Sequence, residues 1–74
     1  MARLPVLKPR QAIALLVDRG FVCIRQRGSH MQFRHADGRA TTVPDPGGRD
    51  ISPSLLRKIA RDISVTAEEF VAGT

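Results

Sequence analysis

The chain has 74 residues, 42% of them hydrophobic and only 4% aromatic, and a formal charge of +5. A chain this short builds one small core, so a single domain over residues 1–74 is expected and separate cofactor and substrate domains are excluded. Cys23 is the sole cysteine, which excludes a disulfide framework or a thiolate metal site within one chain.

The positive charge is unevenly spread. Up to Arg49 the bases are Arg3, Lys8, Arg10, Arg19, Arg25, Arg27, Arg34, Arg39 and Arg49, against Asp18, Asp37 and Asp45. Beyond it, Asp50, Asp62, Glu68 and Glu69 offset Arg57, Lys58 and Arg61. One-sided basicity points to a polyanion, most often nucleic acid. The opening stretch, MARLPVLKPR, has no long apolar run. Neither a leader nor a membrane span is expected, and a reducing cytoplasm is the expected location.

In chain order, a first helix should begin at Lys8-Pro9, because proline suits the first helical position. Ile13, Leu16 and Val17 recur at helical spacing with Ala12 and Leu15 beside them, and Gly20 supplies the stop. FVCIRQR (21–27) reads as a strand rich in β-branched and aromatic residues. Gly28-Ser29 suits a type II′ hairpin turn, and HMQFRH (30–35) forms the return strand. Asp37-Gly38 marks a second turn before a third strand, ATTVP, which ends at Pro44. DPGGRD is a loop. Ser52-Pro53 opens a second helix with Leu55, Leu56, Ile59 and Ile63 as its apolar stripe. Thr66-Ala67-Glu68-Glu69 is a capping box for a short last helix carrying Phe70 and Val71. The expected class is α+β, ordered α-β-β-β-α, with helices on one face of a three-stranded antiparallel sheet and the other face open.

A two-residue turn at Gly28-Ser29 sets the hairpin register. Arg27 then faces His30, Arg25 faces Gln32, and Cys23 faces Arg34. Alternation places these six residues on the open face and sends Val22, Ile24, Gln26, Met31, Phe33 and His35 to the core side. Clustered arginines repel one another, and a bound phosphate relieves that repulsion through the planar guanidinium fork. His30 sits at the hairpin tip within this basic face, whereas His35 reads as a structural or rim residue.

If the polyanion is RNA, its 2′-OH is a built-in nucleophile. A histidine, titrating as a residue type at about 6.5, can move a proton near neutral pH. Arginines can stabilise charge developing on the phosphorane. No clustered carboxylates or histidines suggest a metal, and no cofactor is expected. Only one proton-transfer group can be placed, so water or the substrate itself must supply the second.

The ordered pieces LKPRQAIALLVDRGFV, RQRGSHMQFRH, DGRATTVPDPGGRDISPSLLRKIARD and TAEEF resemble HicA-type toxins, the messenger-RNA interferases of HicBA toxin–antitoxin pairs. The resemblance runs from residue 7 to residue 70. It implies a fold like that of double-stranded-RNA-binding domains and metal-independent cleavage of mRNA. It implies a catalytic histidine in Gly-Ser-His, here His30, and a HicB-type antitoxin that blocks the site around it. Arg25, Arg27, Ser29, Gln32 and Arg34 are the expected RNA-binding residues. Two positions depart from the family pattern. Met31 stands where a second histidine often follows the first. Asp45-Pro46 occupies a loop that often holds another histidine.

Two other readings use the same residues. One is a non-catalytic RNA-binding module, which would keep its affinity when His30 is lost. The other is an interaction protein whose basic face docks an acidic partner without RNA. The free chain is expected to be a monomer.

Overall fold

The computed structural model describes residues 4–73, so Arg3 lies outside the described residues. The elements are α1 (Pro9–Asp18), β1 (Val22–Arg27), β2 (His30–Arg34), β3 (Ala40–Pro44), α2 (Pro53–Asp62) and α3 (Ala67–Val71). The strands form one antiparallel sheet ordered β1-β2-β3. This is the expected α+β architecture of the double-stranded-RNA-binding type.

The ends of α1 follow from its sequence. Pro9 fills the first helical position, and the Gln11 side chain accepts the Lys8 backbone N–H at 2.8 Å. At the other end, the Phe21 and Gly20 amides donate to the Leu16 and Val17 carbonyls, each at 3.0 Å. Such a stop needs a left-handed residue, and Gly20 has φ +91°. A Cβ there would also lie 3.1 Å from His35 Nε2. Gly20→Ala is therefore expected to lower stability by at least about 1 kcal/mol, read from urea unfolding. Helix α2 ends the same way but without glycine: Ser64 takes φ 63° while the Val65 amide donates to the Ala60 carbonyl at 3.0 Å.

The core gathers Leu7, Leu15, Leu16, Phe21, Phe33, Val43, Ile51, Leu56, Ile59, Ile63 and Phe70. All three phenylalanines are buried. Helices α1 and α2 make their main sheet contacts with β3, and every residue of β1 is exposed. This corrects the sequence reading at two apolar positions of β1. Val22 and Ile24 were expected on the core side, yet they are 60% and 53% exposed. Val22 pairs with Arg34 on the uncovered face, and Ile24 stands on β1, which projects past helices that cover the sheet from the β3 side. Val17, one of the helically spaced apolar residues of α1, is 57% exposed because the buried face of that helix runs through Ala12, Leu15 and Leu16.

Short polar ties close the periphery. Thr41, buried, donates its hydroxyl to Asp62 at 2.9 Å, and Lys58 reaches the same carboxylate at 3.1 Å. In α3 the Thr66 and Glu69 side chains cap each other's backbone N–H groups at 3.0 and 3.1 Å. The Thr66 backbone N–H holds the Glu69 carboxyl below its usual pKa. A carboxylate lowered in this way stabilises the fold above the ordinary carboxylate range. That contribution is lost as pH falls through the lowered folded value.

Candidate nucleic-acid interface

His30 opens β2 immediately after the Gly28-Ser29 turn. Gly28 has φ +55°, as the first central position of a type II′ turn requires. His30 pairs with Arg27 across the hairpin and with Pro44 on β3. Arg25 pairs with Gln32, which in turn pairs with Thr42. Side chains alternate along β2, and Met31 and Phe33 belong to the core side. His30, Gln32 and Arg34 therefore form a row on the open face. Arginines 27 and 25 flank this row on the β1 side, and the compact Pro44, Thr42 and Ala40 flank it on the β3 side.

The expected register fails at one place. A β-bulge interrupts β1 between Cys23 and Arg25, so Cys23 pairs with Phe33 and Val22 pairs with Arg34. Cys23 was expected opposite Arg34 on the open face and instead lies on the Phe33 side. One extra residue in a strand exchanges the faces of everything before it. The six predicted site residues lie after the bulge or on β2, so their grouping is unaffected.

The charges of this face have no internal counterions among the described residues. Among the described residues, carboxylates pair with Lys8, Arg39 and Lys58, and none pairs with Arg25, Arg27 or Arg34. His30 is exposed and has no hydrogen-bond partner among the described residues. The Ser29 hydroxyl is likewise unpartnered. The arrangement leaves an imidazole, a hydroxyl and three guanidinium groups facing solvent on one side of the sheet. Such a set can grip phosphates and exchange a proton with a bound group.

A contact absent from the sequence reading fixes the tip. The Asp45 amide donates to the Ser29 carbonyl at 2.9 Å. The Asp45 carboxylate accepts the Gly47 amide at 2.9 Å, and the Asp45 carbonyl accepts the Gly48 amide at 2.8 Å. The 45–48 loop is thus a closed turn bonded to the hairpin. Aspartate's habit of bonding the backbone two residues on was the available signal. Its non-local partner, Ser29, left no trace in the sequence.

His35 lies at the opposite end of β2 and is occupied structurally. Its ring meets Phe21 edge-on at 5.1 Å, and the Arg39 guanidinium covers Phe21 at 5.2 Å. His35 Nδ1 lies 3.0 Å from the Asp37 amide and 3.1 Å from its carboxylate. A neutral ring accepts from the amide, and an imidazolium donates to the carboxylate, so Asp37 is held in either state. The Arg39 backbone N–H, followed by its guanidinium, keeps the Asp37 carboxyl below its usual pKa. Arg39 also donates to the Ile63 carbonyl at 2.5 Å.

Among the described residues, no three metal-binding side chains come together, and no helix is long and apolar enough to cross a membrane. A search of curated proteins gave no match. The family model for the HicA toxin of bacterial toxin–antitoxin pairs matches residues 9–65.

Proposed function

This chain belongs to the HicA toxin family, and from that premise we propose that it is an endoribonuclease that cleaves mRNA through His30. It is a toxin of a toxin–antitoxin pair, and an antitoxin is its partner in general terms. The observation that carries the finer reading is the open sheet face. There an exposed histidine stands among arginines that have no carboxylate partners among the described residues.

In the proposed reaction, RNA phosphates lie along Arg25, Arg27 and Arg34, with Gln32 and the Ser29 hydroxyl orienting the strand. Neutral His30 takes the proton of a 2′-OH as that oxygen attacks the adjacent phosphorus. The P–O5′ bond breaks, the 5′ oxygen takes a proton from water, and the products are a 2′,3′-cyclic phosphate and a free 5′-OH. The arginines stabilise the charge of the phosphorane. The nucleophile belongs to the substrate, so the mechanism needs no metal-activated water. The scattered carboxylates agree with this. We place the toxin in the cytoplasm as a free monomer. Its antitoxin is of the HicB type and covers the His30 face.

Labelled single-stranded RNA tests the reading. The purified toxin is expected to cut it in excess EDTA, leaving cyclic phosphate ends. A single 2′-deoxy substitution at the cut position should block cleavage there. Loss of activity in EDTA, or cleavage that ignores the 2′-deoxy substitution, would sink the mechanism.

A second reading, an RNA-binding module without catalysis, draws on one observation. No described side chain orients the His30 ring, and the Asp45 carboxylate beside the tip is engaged by the Gly47 amide. Under that reading the toxin binds the labelled RNA and leaves it intact.

A further inference from the structure

Strand β1 is an edge: it is bonded to β2 on one side, and all six of its residues are exposed. Exposed strand edges offer unpaired backbone donors and acceptors to other chains. Here the edge also carries the apolar side chains Val22 and Ile24, 60% and 53% exposed. They line a shallow groove of about 430 Å3 with Gly20, Arg34, His35 and Ala36. Its walls are mostly apolar, yet Arg34 stands in it and Arg25 and Arg27 continue from it along the strand.

Three occupants can be weighed on these features. A second copy of β1, paired antiparallel, would set Arg25 and Arg27 against their own like charges. The bulge at Ile24 further spoils a regular self-pairing. RNA gains nothing from aliphatic side chains, because base stacking needs aromatic platforms, and all three phenylalanines are buried. An acidic protein strand meets every feature. Its backbone pairs with the regular part of β1 at residues 25–27, its carboxylates meet the arginines, and an apolar side chain fills the Val22–Ile24 groove.

We propose that the antitoxin binds by adding an acidic strand to the outer edge of β1, with an apolar anchor seated between Val22 and Ile24. This rests on the family's antitoxin partnership and is independent of cleavage by His30. It also gives that partnership a means of inhibition. Carboxylates of the added strand occupy Arg25 and Arg27, so RNA phosphates and antitoxin compete for the same guanidinium groups.

The test uses the full toxin and the antitoxin encoded beside it. Amide hydrogen exchange of the toxin, alone and in the complex, reads the edge directly, and the outward-facing amides of β1 should slow on binding. The double variant V22T/I24T keeps β-branching at exposed positions, so its melting temperature should match the wild type. Its antitoxin affinity should fall about ten- to hundredfold from lost apolar burial, while RNA affinity stays unchanged. Unchanged antitoxin affinity, with slowed exchange confined to residues 28–30 and 45–48, would overturn the edge site and leave the partnership intact. Failure of wild-type toxin to bind this antitoxin would remove the partnership, and the edge site with it. A wild-type dimer that V22T/I24T dissociates would assign the groove to a second copy instead.

Discussion

Replacing His30 with alanine is expected to abolish RNA cleavage, lowering the rate about 10²- to 10⁴-fold, the range for loss of a positioned acid–base group. The fold should not register the change. His30 is exposed at the first position of β2, and its ring has no hydrogen-bond partner among the described residues. Surface substitutions of this kind usually alter stability by less than about 0.5 kcal/mol. RNA affinity should also survive, because the arginines remain. The measurement is single-turnover cleavage beside filter binding and a thermal melt of the same preparation. Equal cleavage by wild type and variant would remove His30 from the chemistry. Binding without cleavage by both proteins would favour the module reading.

Phe33→Ala is expected to destabilise the protein by about 3–5 kcal/mol, the usual cost of deleting a buried aromatic ring. Phe33 is 1% exposed and lies on the core face of the central strand. Small domains hold only about 5–15 kcal/mol in total, and one this size sits near the lower end. The variant should therefore be largely unfolded, or close to it, at 37 °C. Urea unfolding followed by far-UV circular dichroism gives the number. RNA binding should vanish together with the fold, unlike in His30→Ala. A Phe33→Ala protein with a wild-type unfolding midpoint would mean that the core is not built around β2.

Local chemistry made most of the fold legible. Pro9 and Gly20 bracket α1, Ser52-Pro53 opens α2, and Thr66 with Glu69 caps α3. Each is a signal carried by neighbouring residues. Gly28-Ser29 set the hairpin register correctly for the Arg27–His30 and Arg25–Gln32 pairs. The register then slipped at the bulge, because no glycine or proline marks that position in FVCIRQR. Val22 and Ile24 read as core because alternation from the hairpin turn set them opposite the arginine face, and the bulge turned Val22 over to the Arg34 side. Whether a strand lies under a helix is a tertiary fact, and periodicity does not encode it. The end of α2 was obscure for a local reason: a serine adopts the left-handed conformation where glycine would have announced it. Basic clustering and the hairpin turn grouped the candidate site. The bond between the Asp45 amide and the Ser29 carbonyl joins backbone to backbone across 16 residues, and side-chain identity says nothing about it.

Position parity along β2 has a genetic consequence. In this strand the even-numbered His30, Gln32 and Arg34 share the open face, and the odd-numbered Met31 and Phe33 share the core side. Survivors selected against an unrestrained toxin would carry lesions of two kinds within five codons. Odd-codon lesions would leave little soluble protein, because the chain no longer folds. Lesions at His30 and Gln32, which lie outside the Val22–Ile24 groove, would leave a folded, inert protein that still occupies antitoxin. Such a protein would titrate the antitoxin away from any intact toxin in the same cell, so these alleles would act in trans where odd-codon alleles would not.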